Sequence, residues 1–293
     1  MATSFIDRKR TSNSEMSFID HLEELRWHII RSVLAILIMA IVIFVNIQWV
    51  YSNIITGPIN PDFVSYKALC DFSHWLHIGK ALCMDPLQIK MQTTTFGGQF
   101  LSGISMALIG GVLAAFPYVF WEFWRFVKPA LKPKEVRNTR FIIFWVSLFF
   151  FTGAAFGYFV LGPFTFNFLG GFKLSNTVET IPTISDYLDN LTNIILGCAL
   201  AFELPVVAFA LTKIGLITPD FLKRSRKFAI VVILIVAAVI TPSPDWISQL
   251  IVFTPLFMLY QLSIVVSKRA YKKMQEDDEN WDKEEEEEVE EWS

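Results

Sequence analysis

The chain has 293 residues, 53% of them apolar, 15% aromatic and only 18% charged, with 28 Phe and 9 Trp. That balance excludes an ordinary soluble domain and points to an integral membrane protein. The net charge of −3 hides a division, because residues 276–293 hold 12 of the 28 acids and one of the 25 bases, leaving a body with 24 bases against 16 acids.

Apolar stretches follow in chain order at residues 27–50, 96–120, 141–161, 193–216, 228–241 and 247–266. A helix crossing a hydrocarbon core of about 30 Å needs roughly 20 such residues. The expected fold is therefore an all-α membrane bundle of six transmembrane helices. The fifth stretch would make a helix of only about 21 Å, so helices five and six are expected to be short. No brief apolar segment with a small-residue cleavage site precedes the first stretch, which is expected to stay in the mature protein.

The connections sort by charge. Arg125, Lys128, Lys132, Lys134, Arg137 and Arg140 crowd the second, and Lys213, Lys223, Arg224, Arg226 and Lys227 crowd the fourth, while the alternate connections are poor in bases. Bases favour the cytoplasmic side, which places both termini there. Residues 1–16 read as a cytoplasmic N-terminal segment and 17–273 as the membrane domain with an amphipathic entry helix. Residues 274–293 read as an acidic, disordered cytoplasmic tail, since a run such as "KEEEEEVEE" repels itself and has little apolar surface to bury.

The entry helix starts at "SFIDHLEELRWHII". Ser17 and Asp20 fit a capping box, and Phe18, Leu22, Leu25 and Ile29 recur on one face, with Glu23, Glu24 and Arg26 away from its centre. A carboxylate at a membrane face made basic by its own loops is an acceptor suited to guanidinium, which it meets with two parallel hydrogen bonds. Such an acid also fits a solvated first turn. Glu135, alone among the bases of "FWRFVKPALKPKEVRNTR", fits either a neutralising ion pair or a second acceptor.

The first external segment contains "CDFSHWLHIGKALC". Cys70 and Cys83 in an oxidising space fit a disulfide, with free thiols or a Cys/His metal set as the other readings; the His74 and His77 spacing matches no familiar zinc pattern, and no metal is assigned. Cys198 reads as a small apolar filler. Glu203 stands near the middle of the fourth stretch, two residues before Pro205. An acid there is a functional residue by default: a docking point for a partner helix, a proton site, or a protonated hydrogen-bonding group. "TPSPDWISQ" joins the last two stretches and carries Asp245, at the place of an N-cap, and Gln249 one turn later.

The sequence lacks HExxH, GxSxG and GxxxxGK[ST], which sets enzyme classes aside. A proton-coupled carrier would want a second acid facing Glu203, whereas Arg31 and Glu122 fall near cytoplasmic ends.

Taken in order, "HLEELR" with Glu24 and Arg26, "FWRFVKPALKPKEVR" with Phe126, Pro129 and Glu135, "GYFVLGPFTFNFL", "AFELPV" with Glu203, and "ITPSPDWISQ" resemble the TatC family, the multispanning receptor component of the twin-arginine protein translocase. The resemblance runs from about residue 17 to 273. It implies a non-enzymatic subunit of the bacterial cytoplasmic (inner) membrane, working under the protonmotive force without cofactor or nucleic acid. Glu24 and Glu135, with Arg26 and Phe126, would bind twin-arginine signal peptides of folded cargo, Arg26 orienting Glu24 or holding lipid phosphate. Glu203, Gln249 and Asp245 would serve docking of single-span partners of the TatA/TatB type, within a hetero-oligomer that holds several copies of this chain. Two departures are visible: Val136-Arg137 stands where many relatives carry two bases, and the external segment from Pro58 to Phe96 is longer than usual.

Overall fold

The computed structural model describes residues 18–75, 77, 83, 90–127, 139–173, 175, 181–241 and 246–291. Its principal elements are α1 (Phe18–Val45), α2 (Ile47–Val50), α3 (Val64–Trp75), α4 (Gly98–Val127), α5 (Thr139–Phe156), α6 (Gly162–Gly171), α7 (Ile184–Ala201), α8 (Leu204–Lys213), α9 (Pro219–Arg224), α10 (Arg226–Ile240) and α11 (Trp246–Glu291). Among the described residues five helical runs are long and apolar enough to cross a membrane: Glu23–Val45, Gly98–Val127, Ile142–Gly171, Ile184–Lys213 and Ser248–Glu276.

The fifth apolar stretch forms α10, whose 15 residues span about 22 Å, short as expected. The sixth does not. It belongs to a 46-residue helix that continues to Glu291, through the segment read from sequence as a disordered tail. Extending a helix already formed adds one hydrogen bond per residue and needs no new nucleus. The Lys272–Glu276 pair at 3.3 Å adds support one turn apart at the start of the polar part.

Small residues set the crossings, because between lipid-facing helices close packing replaces the hydrophobic drive. On α4, Gly103, Ala107, Gly111 and Ala115 recur every four residues and are all buried. A Cβ on Gly111 would lie 2.8 Å from the Ile36 carbonyl oxygen and 2.9 Å from the Ala40 nitrogen of α1, so the two backbones meet there. Gly153 of α5 meets α7 in the same way, 2.6 Å from the Cys198 carbonyl oxygen and 2.9 Å from the Ala199 Cα. Cys198 is a free, buried thiol, filling space as read from sequence.

Helix breaks are satisfied by tyrosines. α1 stops at Val45, short of the stretch ending at residue 50, and the chain passes through a single π-helical turn (Tyr51–Ile55) and a 3-10 turn (Gly57–Ile59). The carbonyls of Ile54, Ile55 and Pro58 accept hydrogen bonds from the hydroxyls of Tyr158 (2.5 Å), Tyr187 (2.5 Å) and Tyr66 (2.8 Å). Irregular backbone inside a membrane bundle needs such internal donors. Burial also raises the Tyr66 phenol above its ordinary pKa, keeping it a donor.

The fourth run begins earlier than its apolar stretch, at a capping box in which Thr183 Oγ1 accepts from the Asp186 N–H. It then breaks at Phe202–Glu203, because Pro205 in the first turn of α8 has no N–H to continue the ladder. Outside the spans, Cys70 of α3 is disulfide-bonded to Cys83, with Cα atoms 4.3 Å apart. His74 Nδ1 lies 2.9 Å from the Cys70 carbonyl, one turn back.

Candidate functional site

The entry helix turns an apolar residue outward and a polar one inward. Ile29 is 52% exposed whereas His28 is 6% exposed. In a bilayer the apolar side faces lipid, and a polar residue turns toward a neighbouring helix. For His28 that neighbour is α4.

Glu122, 1% exposed, follows Ala115 by seven residues, two turns further along the small-residue face of α4. The crossing at Gly111 therefore brings it onto α1. Glu122 Oε2 lies 2.5 Å from His28 Nδ1, and Oε1 accepts from the Tyr118 hydroxyl at 3.0 Å. Arg125 Nη1 stands 3.8 Å from Oε1 and Arg31 Nη1 4.0 Å from Oε2, both side chains about half-exposed. The Arg125 guanidinium also sits 5.0 Å above the Trp121 ring, a cation–π contact. A buried carboxylate is tolerable when it is answered this fully.

Glu24 lies one turn before His28. Its Oε1 is 3.9 Å from His28 Nε2 and its side chain is 41% exposed, so the carboxylate sits at the rim of the cluster with most of its acceptor capacity open. Phe126 approaches the other side of His28, ring centroids 6.3 Å apart and edge to face. Two of the residues picked from sequence, Glu24 and Phe126, are thus gathered around an unpicked one. Glu23 and Arg26 are exposed beside them. Glu135 lies in segment 128–138 and Asp245 in segment 242–245, outside the described residues.

His28 and Glu122 were missed as site residues, although a signal existed. Glu122 lies seven residues, two helical turns, beyond Ala115 and so on the same face as Gly103, Ala107, Gly111 and Ala115; the pattern that marks the packed face of α4 also marks an acid on it.

The second acid, Glu203, occupies the break between α7 and α8. Its Oε1 is buried with no hydrogen-bond partner among the described residues. Gln249 does not stand free: its Nε2 donates to the Leu234 carbonyl of α10 at 3.2 Å, tying α11 to α10.

Several membrane-crossing helices, a satisfied polar cluster with one half-open carboxylate, and an acid with one unpartnered oxygen at a helix break define a multi-pass helical membrane protein. The family model described as Sec-independent protein translocase protein (TatC) matches residues 20–255, and the chain belongs to that family. It is 37% identical over 265 residues to the Sec-independent protein translocase protein TatC of Blattabacterium sp. subsp. Periplaneta americana, covering 90% of this chain and 99% of the relative. It is 31% identical over 266 residues to TatCy of Bacillus subtilis, covering 91% and 94%. A crystal structure of the twin arginine translocase receptor TatC superposes with a TM-score of 0.65 at 29% identity, covering 85% of this chain and 99% of that one.

Proposed function

We propose that this chain is a non-enzymatic receptor subunit of a twin-arginine translocase in the bacterial inner membrane. It receives the paired arginines of a signal peptide on folded cargo at Glu24 and Glu135. The observation that carries the reading is Glu24, a carboxylate left open at the edge of a cluster whose other acid is fully engaged. Guanidinium is the matching ligand because its planar fork meets a carboxylate through two hydrogen bonds.

In this reading α10 completes six spans, both termini and the two basic connections lie in the cytoplasm, and residues 17–273 form the membrane domain. The acidic segment beyond it stays on the cytoplasmic side. Glu203, with one oxygen unanswered, is the docking point for the helix of a single-span partner of the TatA/TatB type, and Gln249 and Asp245 belong to the same assembly role. Several copies of the chain work within such a complex, under the protonmotive force.

The test is binding of a fluorescent twin-arginine peptide to the detergent-solubilised protein, beside its twin-lysine version. A clear preference for arginine is expected, since lysine lacks the fork. Equal binding of the two peptides would contradict the receptor reading.

A further inference from the structure

Resting on the signal-peptide reading, we propose that His28 and Glu122 are positioning residues that hold the Glu24 carboxylate ready for arginine. His28 faces one carboxylate through each ring nitrogen: Nδ1 is 2.5 Å from Glu122 and Nε2 is 3.9 Å from Glu24. The short Glu122 contact fixes the imidazole ring. At 3.9 Å its other nitrogen is beyond hydrogen-bond reach of Glu24, so it borders that half-open carboxylate and leaves the acceptor capacity free.

Glu122 has a second effect. Among the described residues, the groups facing Glu122 are the His28 ring and the Arg31 guanidinium of α1, and the Arg125 guanidinium and Tyr118 hydroxyl of α4. All four groups contact Glu122, the deepest carboxylate. By engaging the chain's own arginines, Glu122 keeps them from competing with an incoming arginine for Glu24. The strut is rigid where it needs to be: α1 and α4 are locked by backbone contact at Gly111, so a side chain anchored on α4 fixes its partner on α1.

The experiment measures twin-arginine peptide affinity at one fixed pH for the full-length protein in detergent, comparing wild type, His28→Gln, His28→Arg, Glu122→Gln, Glu24→Ala and the His28→Gln/Glu24→Ala pair. His28→Gln and Glu122→Gln are each expected to weaken binding roughly fivefold, the size of one released side-chain contact. His28→Arg, which keeps donors facing Glu122 and the rim, is expected to bind better than His28→Gln. The double variant is expected to be no weaker than Glu24→Ala alone, because both changes remove one coupled contact. The inference is overturned if His28→Arg binds no better than His28→Gln, or if losses from His28→Gln and Glu24→Ala simply add. Should the Gln variants fail to fold, His28→Arg decides alone: binding as weak as that of Glu24→Ala overturns the inference. Failure of wild type to prefer arginine over lysine would instead strike the receptor reading itself.

Discussion

Glu122 and Glu203, two acids within the helical bundle, live in opposite circumstances. Glu122 is 1% exposed, yet His28, Tyr118, Arg31 and Arg125 all turn toward it. Glu203 is less enclosed, yet one of its oxygens is buried without a partner among the described residues. Depth alone therefore does not mark a working site. Glu122 is answered by its own fold, whereas the unmet Glu203 oxygen carries a desolvation penalty of about 1–3 kcal/mol that a bound group would relieve, which supports the docking role proposed for it. Glu24 stands between these cases, touching the scaffold through His28 while open to solvent.

The strongest test of the contrast is at Glu203. Glu203→Ala is expected to abolish export and to weaken co-purification of single-span partners, while leaving twin-arginine peptide affinity nearly unchanged. Glu203→Gln should be milder, since it keeps hydrogen bonding; equal partner recovery from wild type and Glu203→Ala would remove the docking role. Next in size is Gly111→Val. Its added carbon collides with the Ile36 and Ala40 backbone, and overpacking of this kind is expected to lower stability by about 1–3 kcal/mol. Thermal unfolding in detergent should report that loss, together with weakened peptide binding as α1 moves off Glu122; an unchanged melting temperature would show that the crossing is looser than described. Smallest is Arg26→Gln. Exposed and outside the His28 cluster, it is expected to shift peptide affinity by less than about threefold, the scale of an exposed charge, in the same titration. A tenfold loss would place Arg26 at the site.

Much of this was legible in the sequence. The apolar stretches, the brevity of the fifth, Cys198 as filler and the break brought by Pro205 follow from length, polarity and the missing proline donor. The orientation of α1 was not: periodicity shows that Leu22, Leu25 and Ile29 share a face, not whether lipid or a neighbouring helix covers it, and Ile29 is exposed while His28 turns in. The extent of α11 was misread for a different reason. Local composition argues against order in "KEEEEEVEE", but the helix arrives there already formed. The His28–Glu122 pair joins residues 94 positions apart, and only the crossing at Gly111 brings them together.

The central claim is that Glu24 and Glu135 each receive one arginine of the signal peptide. It is tested most directly by measuring twin-arginine peptide affinity, at two salt concentrations, for wild type and for Glu24→Ala, Glu135→Ala and Glu23→Ala. Each of the first two removes a charge-assisted partner and is expected to cost about 1.5–3 kcal/mol, or roughly 10- to 150-fold in affinity. Glu23, adjacent in sequence but about 100° away around the helix, is expected to cost far less. A Glu23→Ala loss as large as that of Glu24→Ala, or no effect from Glu135→Ala, would contradict the two-carboxylate site and leave a diffuse acidic surface in its place.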